Sequence, residues 1–288
     1  MKLQRFPAPR TAWIVPLILS ASLTYAQFTT GVSLVEVYAT VTDRQGEPLT
    51  NLSAADFRVM QDGVPQTITA FAAGEFPLAV AIGLDRSFSM GGKGDRLSVA
   101  KSAARTFIDA LRNDDQVMVL AIGSDTEVAA PLSTDRAAAR AAIDRLEPWG
   151  TTPLYDATLV ALEAIQSAKG RRALVLLSDG TDRYSDTSEA ALVEEARRRD
   201  ALVYPIAIGP SRPPVFAELA TATGGRSFFT KEPRELGAIL TTIARELRFQ
   251  YLLGYVPPPA TGRSWHAIDV EVDRPGVRIR ARDGYFAK

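Results

Sequence analysis

The chain contains no cysteine and a single histidine, His266, in 288 residues. The missing cysteines exclude disulfides, zinc–thiolate centres and thiol nucleophiles, and the lone histidine excludes a multi-histidine metal centre. Any metal here is held by oxygen. Charge of one sign is also missing: 33 Lys and Arg balance 33 Asp and Glu, so the bulk charge points to no nucleic acid or other polyanionic partner. After residue 23 no apolar stretch is long and charge-free enough to span a bilayer. Internal repeats and low-complexity tracts are absent as well. What remains, 46% apolar and 23% charged residues, is the composition of an ordinary globular protein.

The first 26 residues stand apart. Lys2, Arg5 and Arg10 precede an apolar run from Ala12 to Leu23 that ends in Thr24-Tyr25-Ala26, and no acid occurs before Glu36. This is the layout of a secretory signal peptide with small residues at the cleavage site, and the run is shorter than the roughly 20 residues of a membrane span. Residues 1–26 are therefore expected to direct export to the periplasm or the extracellular space. Cleavage after Ala26 would leave 30 basic against 33 acidic residues, a charge of −3.

Three rhythms follow. Residues 27–75 show short strand-like runs such as Val35, Val37 and Thr40 to Thr42, separated by Asp43-Arg44-Gln45-Gly46 and Gln61-Asp62-Gly63 turns. Residues 76–247 alternate near-continuous apolar runs, Leu78–Leu84, Val117–Ile122, Ala173–Leu177 and Leu202–Ile208, with helical stretches such as Ala100, Ala103, Ala104, Phe107, Ile108 and Leu111. A short edge strand is expected over Glu127 to Leu132, and a helix whose first residue is Pro153 is expected to run to Gly170. Residues 248–288 return to alternation, in Phe249–Tyr255, Trp265–Val272 and Val277–Ala281. The predicted fold class is α/β, a doubly wound, mostly parallel sheet covered on both faces. Each flank is close to the smallest size that buries its own core. The two are expected to pair into one small β-sandwich-like module with the α/β domain inserted; the alternative is that each packs separately on that domain.

In an open parallel sheet, ligands gather at the carboxyl ends of the strands. There the chain reads Asp85-Arg86-Ser87-Phe88-Ser89 after the first apolar run, Ser178-Asp179-Gly180 after a later one, and Gly150-Thr151-Thr152-Pro153 between them. The topology brings two carboxylates and three hydroxyls to one edge. This combination resembles the von Willebrand factor type A domain and its metal-ion-dependent adhesion site, whose pattern is D-x-S-x-S, a Thr in a Gly-x-Thr turn and an Asp in an Asp-Gly turn. The resemblance covers Pro77 to Glu246 and implies a metal set of Asp85, Ser87, Ser89, Thr152 and Asp179, with Asp179 acting through a water. The flanks, with Asp56-Phe57, Gln61-Asp62-Gly63 and Arg282-Asp283-Gly284-Tyr285-Phe286, resemble those of a bacterial exported subfamily of such proteins. Phe88 departs from the pattern, standing where many members have Gly, and reads as an aromatic rim or packing residue.

Oxygen ligands of which three are neutral hydroxyls suit Mg²⁺, with Mn²⁺ or Ca²⁺ also possible, and leave the ion net positive with an open position. A Glu or Asp carboxylate of a partner protein is the natural occupant of that position. The expected function is an exported, metal-ion-dependent, non-enzymatic adhesion or interaction module. The alternatives are an envelope component with a purely structural metal, and a metal-assisted hydrolase, against which the cluster offers no evident general base. The other candidates have plainer readings. His266 reads as a packing or surface residue, Gly91-Gly92-Lys93-Gly94-Asp95 as a turn shaping the rim, Asp156 as a helix N-terminal or ligand-orienting carboxylate, Asp182 and Asp186 as a solvated loop, and Arg171-Arg172 and Arg197-Arg198-Arg199 as solvated faces.

Overall fold

The computed structural model describes residues 34–74, 76–92, 95–258 and 264–287. The signal-like segment and the pair Lys93-Gly94 lie outside them. Among the described residues no helix is long and apolar enough to cross a membrane.

The apolar runs become a six-stranded sheet in the order β10-β9-β8-β5-β6-β7. Its members are β5 (Leu78–Asp85), β6 (Gln116–Ile122), β7 (Thr126–Ser133), β8 (Arg171–Ser178), β9 (Leu202–Ile208) and β10 (Phe228–Thr230). Every residue of β5 is buried, because helices cover both faces and no alternation can develop. All pairings are parallel except that of β7 with β6. Strand β7 carries Pro131, which donates no ladder hydrogen bond and is tolerated on an edge, and the register with β6 slips beside it. One layer of core is formed with α1 (Arg96–Ala110), α2 (Arg136–Asp144) and α6 (Leu236–Arg248), and the opposite layer with α3 (Leu154–Ala164), α4 (Glu189–Arg198) and α5 (Pro214–Thr223). The apolar face predicted for α1 is the one it buries, from Leu97 to Ile108. Two boundaries differ from expectation. Pro153 is the N-cap of α3, not its first residue, and α3 stops at Ala164; Ile165 to Ala168 turn toward Gly170.

The flanks do pair. One four-stranded antiparallel sheet has the order β13-β1-β11-β4 and the other β14-β12-β2-β3. The contributions before the α/β part are β1 (Val35–Thr42), β2 (Phe57–Gln61), β3 (Val64–Gln66) and β4 (Ile68–Gly74); those after it are β11 (Gln250–Tyr255), β12 (Trp265–Val272), β13 (Arg278–Arg280) and β14 (Gly284–Phe286). Each sheet takes two strands from each flank. Val37, Ala39, Phe57, Val59, Leu253, Tyr255 and Ile268 from the two sheets share one core, which makes a β-sandwich and rules out separate packing of the flanks.

The two basic runs are solvated only in part: Arg198 is exposed, whereas Arg171 is buried and Arg197 is drawn half inward. Arg171 is buried and donates to the carbonyls of Phe76 (2.7 Å) and Leu247 (2.6 Å) and to Gln250 Oε1 (2.7 Å). It thereby holds together the points where the chain enters and leaves the α/β domain. Burial lowers its pKa to about 10. Arg197 grips Asp283 at 2.8 Å and lies over the Trp265 ring, and Arg198 lies 3.8 Å above the centroid of Phe286, so both clasp the last strands. Arg197 and Arg198 also pair with Glu194 on their own helix, and the closed sandwich adds the aromatic rings and Asp283.

Candidate metal centre

Strand β5 ends at Asp85 and strand β8 at Ser178, and their parallel register pairs Leu84 with Leu177. The two ends therefore emerge side by side at the carboxyl edge. Asp85 is fully buried and accepts from three directions: the Ser87 amide at 2.9 Å and Thr152 Oγ1 at 3.4 Å on Oδ1, and Ser178 Oγ at 2.6 Å on Oδ2. Ser87 Oγ lies 3.0 Å from Ser89 Oγ. Ser87, Thr152 and Asp179 are buried while Ser89 is exposed, so the cluster opens to solvent on the Ser89 side. Asp179 stands beside Asp85 and raises its pKa by repulsion, but its own Oδ1 accepts from the Thr181 amide at 3.0 Å and it makes no hydrogen bond to the other four. Burial is the main cause that pushes the Asp85 carboxyl above its usual range, and the Ser178 and Ser87 hydrogen bonds oppose it.

Two glycines permit the loops to converge. Gly150 has φ +72° and a Cβ there would fall 2.2 Å from Ser124 Oγ; Gly180 has φ +80° and a Cβ would fall 2.3 Å from Pro213 Cγ. Neither position accepts a side chain. The loops are then tied by backbone hydrogen bonds: Phe88 N–H to the Gly150 carbonyl at 3.1 Å, Trp149 N–H to the Arg86 carbonyl at 2.6 Å, and Arg183 N–H to the Thr152 carbonyl at 2.7 Å.

The donor set fits a small hard cation. It is all oxygen, and among the described residues neither Asp85 nor Asp179 has a basic side chain as salt-bridge partner. In an octahedron with bonds of about 2.1 Å, neighbouring ligand oxygens stand about 3.0 Å apart, and Ser87 Oγ and Ser89 Oγ have that separation.

Some residues take roles that differ from their sequence reading, while Phe88, His266 and Asp156 keep to theirs. Ser178 is the one the motif missed: it supports the Asp85 carboxylate and accepts the Gly180 amide at 3.0 Å. Its only sequence signal is a small hydroxyl closing a buried strand. The loop of Asp182 and Asp186 is solvated in part: Asp186 is exposed, while half-buried Asp182 accepts on Oδ1 from Ser185 Oγ at 2.6 Å and from the Tyr155 amide at 3.2 Å. Asp156 lies in the first turn of α3, as the helix N-terminal reading expected, and it takes the amides of Asp186 (2.9 Å) and Thr187 (3.0 Å), which ties down the loop after β8. Asp95 caps α1 by accepting from the Ser98 amide. His266 is buried in the sandwich, 2.7 Å from Asp62 Oδ2. Phe88 is 64% exposed and lies on the rim.

A von Willebrand factor type A domain profile matches residues 80–181, the span that holds all five candidate ligands. The fold is similar to that of a von Willebrand factor type A protein from Catenulispora acidiphila (TM-score 0.55, 15% identity, covering 91% of this chain and 76% of that one). It is also similar to the vWF domain of the type V pili tip protein Mfa5 from Porphyromonas gingivalis (0.51, 13%, 59% and 95%). A third likeness is to proximal thread matrix protein 1 from the mussel byssus, in a structure with a zinc-occupied MIDAS motif (0.53, 16%, 63% and 48%), so the chain spans about half the length of that protein. No curated protein sequence matches the chain significantly. At these identities the structural likenesses establish fold. Residues 80–181 thus match the von Willebrand factor type A domain profile, and the α/β part of the chain has the fold of such domains.

Proposed function

We propose that the chain is an exported, non-enzymatic protein-interaction module that recognises an acidic side chain of its partner through a divalent cation. Asp85, Ser87, Ser89 and Thr152 would hold the ion directly and Asp179 through a water. When bound, the ion supplies a local positive centre that attracts a Glu or Asp carboxylate. The observation that carries the reading is the pair of hydroxyls 3.0 Å apart beside a buried carboxylate that lacks a basic partner, open to solvent on one side. The protein's own part is positional. Ser178 and the Ser87 amide fix the Asp85 carboxylate, while Gly150 and Gly180 let the backbone close around it. Mg²⁺ is favoured by the oxygen set, with Mn²⁺ or Ca²⁺ as possible replacements; the zinc-occupied motif of the mussel protein supports divalent-ion binding in this fold. Export rests on the N-terminal segment. The non-enzymatic reading rests on the absence, among the described residues, of a basic group hydrogen-bonded to the cluster, and on the place of His266 in the sandwich.

Thermal unfolding and partner capture from the native extracellular or periplasmic fraction test this. Mg²⁺ should raise the melting temperature of the wild type and leave that of Asp85→Asn unchanged, and partners should be released by chelator. A wild-type melting temperature indifferent to Mg²⁺, Mn²⁺ and Ca²⁺, or partners retained equally by Asp85→Asn, would overturn it.

A further inference from the structure

Among the described residues, three aromatic side chains are exposed: Phe88 (64%), Trp149 (50%) and Tyr184 (80%). They come from three separate loops, after β5, before α3 and after β8, yet all three stand around the candidate metal centre. Each lies within one residue of a backbone hydrogen bond that joins these loops. Phe88 itself donates to Gly150, Trp149 itself donates to Arg86, and Tyr184 follows Arg183, which donates to Thr152. Their spacing is therefore fixed by the same backbone that fixes the ligands. Phe88 stands between Ser87 and Ser89, at the side where the cluster opens. Tyr184 has φ +71°, a left-handed backbone disfavoured for a bulky residue, and the Asp182–Ser185 and Asp156–Thr187 hydrogen bonds on either side hold its loop in place. Trp149 is adjacent to Gly150, whose left-handed turn is required by the close approach of Ser124.

Exposed large aromatic groups leave apolar surface in water, and the stability of the fold gives no reason to gather all those among the described residues around the candidate metal centre. Rigid rings around a charged centre are the composition of a binding hot spot, in which apolar contacts exclude water from a polar anchor. Arg183, exposed between Asp182 and Tyr184, has no acidic partner among the described residues, which adds positive charge to the same rim.

We infer that the partner of this edge is a protein segment whose carboxylate is flanked on both sides by large apolar residues, aromatic or aliphatic, which seat on Phe88, Trp149 and Tyr184. This rests on the metal-dependent reading above and adds what that reading leaves open, since a lone carboxylate carries almost no specificity.

Selection from a random heptapeptide display library, on the full chain in excess Mg²⁺, tests the inference with a defined probe. The expected enrichment is an Asp or Glu with Phe, Trp, Tyr, Leu or Met within two positions on both sides. The triple variant Phe88→Ser, Trp149→Ser, Tyr184→Ser alters residues that are at least half exposed. It should keep the wild-type melting temperature and Mg²⁺ shift, still select acids, and lose the flanking preference. A selected synthetic peptide should bind it at least tenfold more weakly than the wild type. Enrichment of acids without apolar neighbours, or equal affinity for wild type and triple variant, overturns the rim and leaves the metal reading intact. Enrichment of apolar peptides without an acid, unaffected by chelator, overturns the metal reading and leaves the rim. No enrichment of any kind overturns both.

Discussion

Replacing Ser178 by alanine is the most discriminating perturbation of the candidate centre, because it removes one oxygen that the motif does not include. Ser178 Oγ donates to Asp85 Oδ2 at 2.6 Å and accepts the buried Gly180 amide at 3.0 Å. A hydrogen bond to an ionised group contributes about 1.5–3 kcal/mol, and a buried amide left without its acceptor costs about 1–3 kcal/mol. Both losses arise from one atom and water can replace part of them, so the expected destabilisation in chelator is about 3 kcal/mol, or about 6–12 °C in melting temperature for a chain of this size. A second effect is expected in Mg²⁺. Groups that position a metal-binding carboxylate are worth about 10–100-fold in metal affinity, so at a fixed excess of Mg²⁺ the ion-induced gain in stability should shrink by about 1.4–2.7 kcal/mol. The assay is circular-dichroism melting of wild type and Ser178→Ala, each in chelator and in Mg²⁺. Superposed melts in chelator would refute the hydrogen-bond argument, and equal Mg²⁺-induced increments would refute the role of Ser178 in positioning Asp85.

Two further predictions concern the scaffold. Glu246, fully buried on α6, receives Arg226 at 2.8 Å and Arg280 at 2.6 Å; Glu246→Gln leaves two cations without their shared anion and should cost about 3–5 kcal/mol in urea unfolding, whereas a loss under about 1 kcal/mol would mean that water already screens the pair. Burial alone would raise the Asp156 pKa, but hydrogen bonds from Asp186 and Thr187 outweigh it and lower the folded value below the usual carboxylate range. Its stabilisation is thus complete above the unfolded pKa of about 3.9 and is lost as pH falls through the lower folded value. Asp156→Asn should cost about 1–2 kcal/mol at neutral pH and converge with the wild type at the acid end of a pH series of melts; a difference independent of pH would contradict this assignment.

Much of the fold was legible because burial writes a period into the sequence. The uninterrupted run Leu78–Leu84 has the length of a strand covered on both faces, and the spacing from Ala100 to Leu111 is that of a helix with one apolar stripe. Asp85, Ser87, Ser89, Thr152 and Asp179 were legible as candidates because they lie in loops that follow such runs or precede a helix, where their D-x-S-x-S, Gly-x-Thr and Asp-Gly pattern resembles that of the von Willebrand factor type A domain. The pairing of the flanks could be argued from their size but not their register, since strands of β1 and β11 type are separated by some two hundred residues and only contact decides which faces which. The same limit hid Ser178, whose partner across the sheet is set by register, and misread Arg171 and Arg197, which have partners in the sandwich or in the link to it.

By itself the sequence bounded the chemistry: with no cysteine and one histidine, any metal proposed for this edge would be held by oxygen, and the apolar runs placed candidate oxygens near strand ends. Tertiary structure alone decided which oxygens meet and what surrounds them. Hydrogen-bond distances of about 3 Å depend on strand register and on left-handed turns at Gly150 and Gly180, and the gathering of Phe88, Trp149 and Tyr184 depends on loops far apart in the chain. Local patterns report whether a residue is buried, whereas its neighbours are set by the packing of the whole chain.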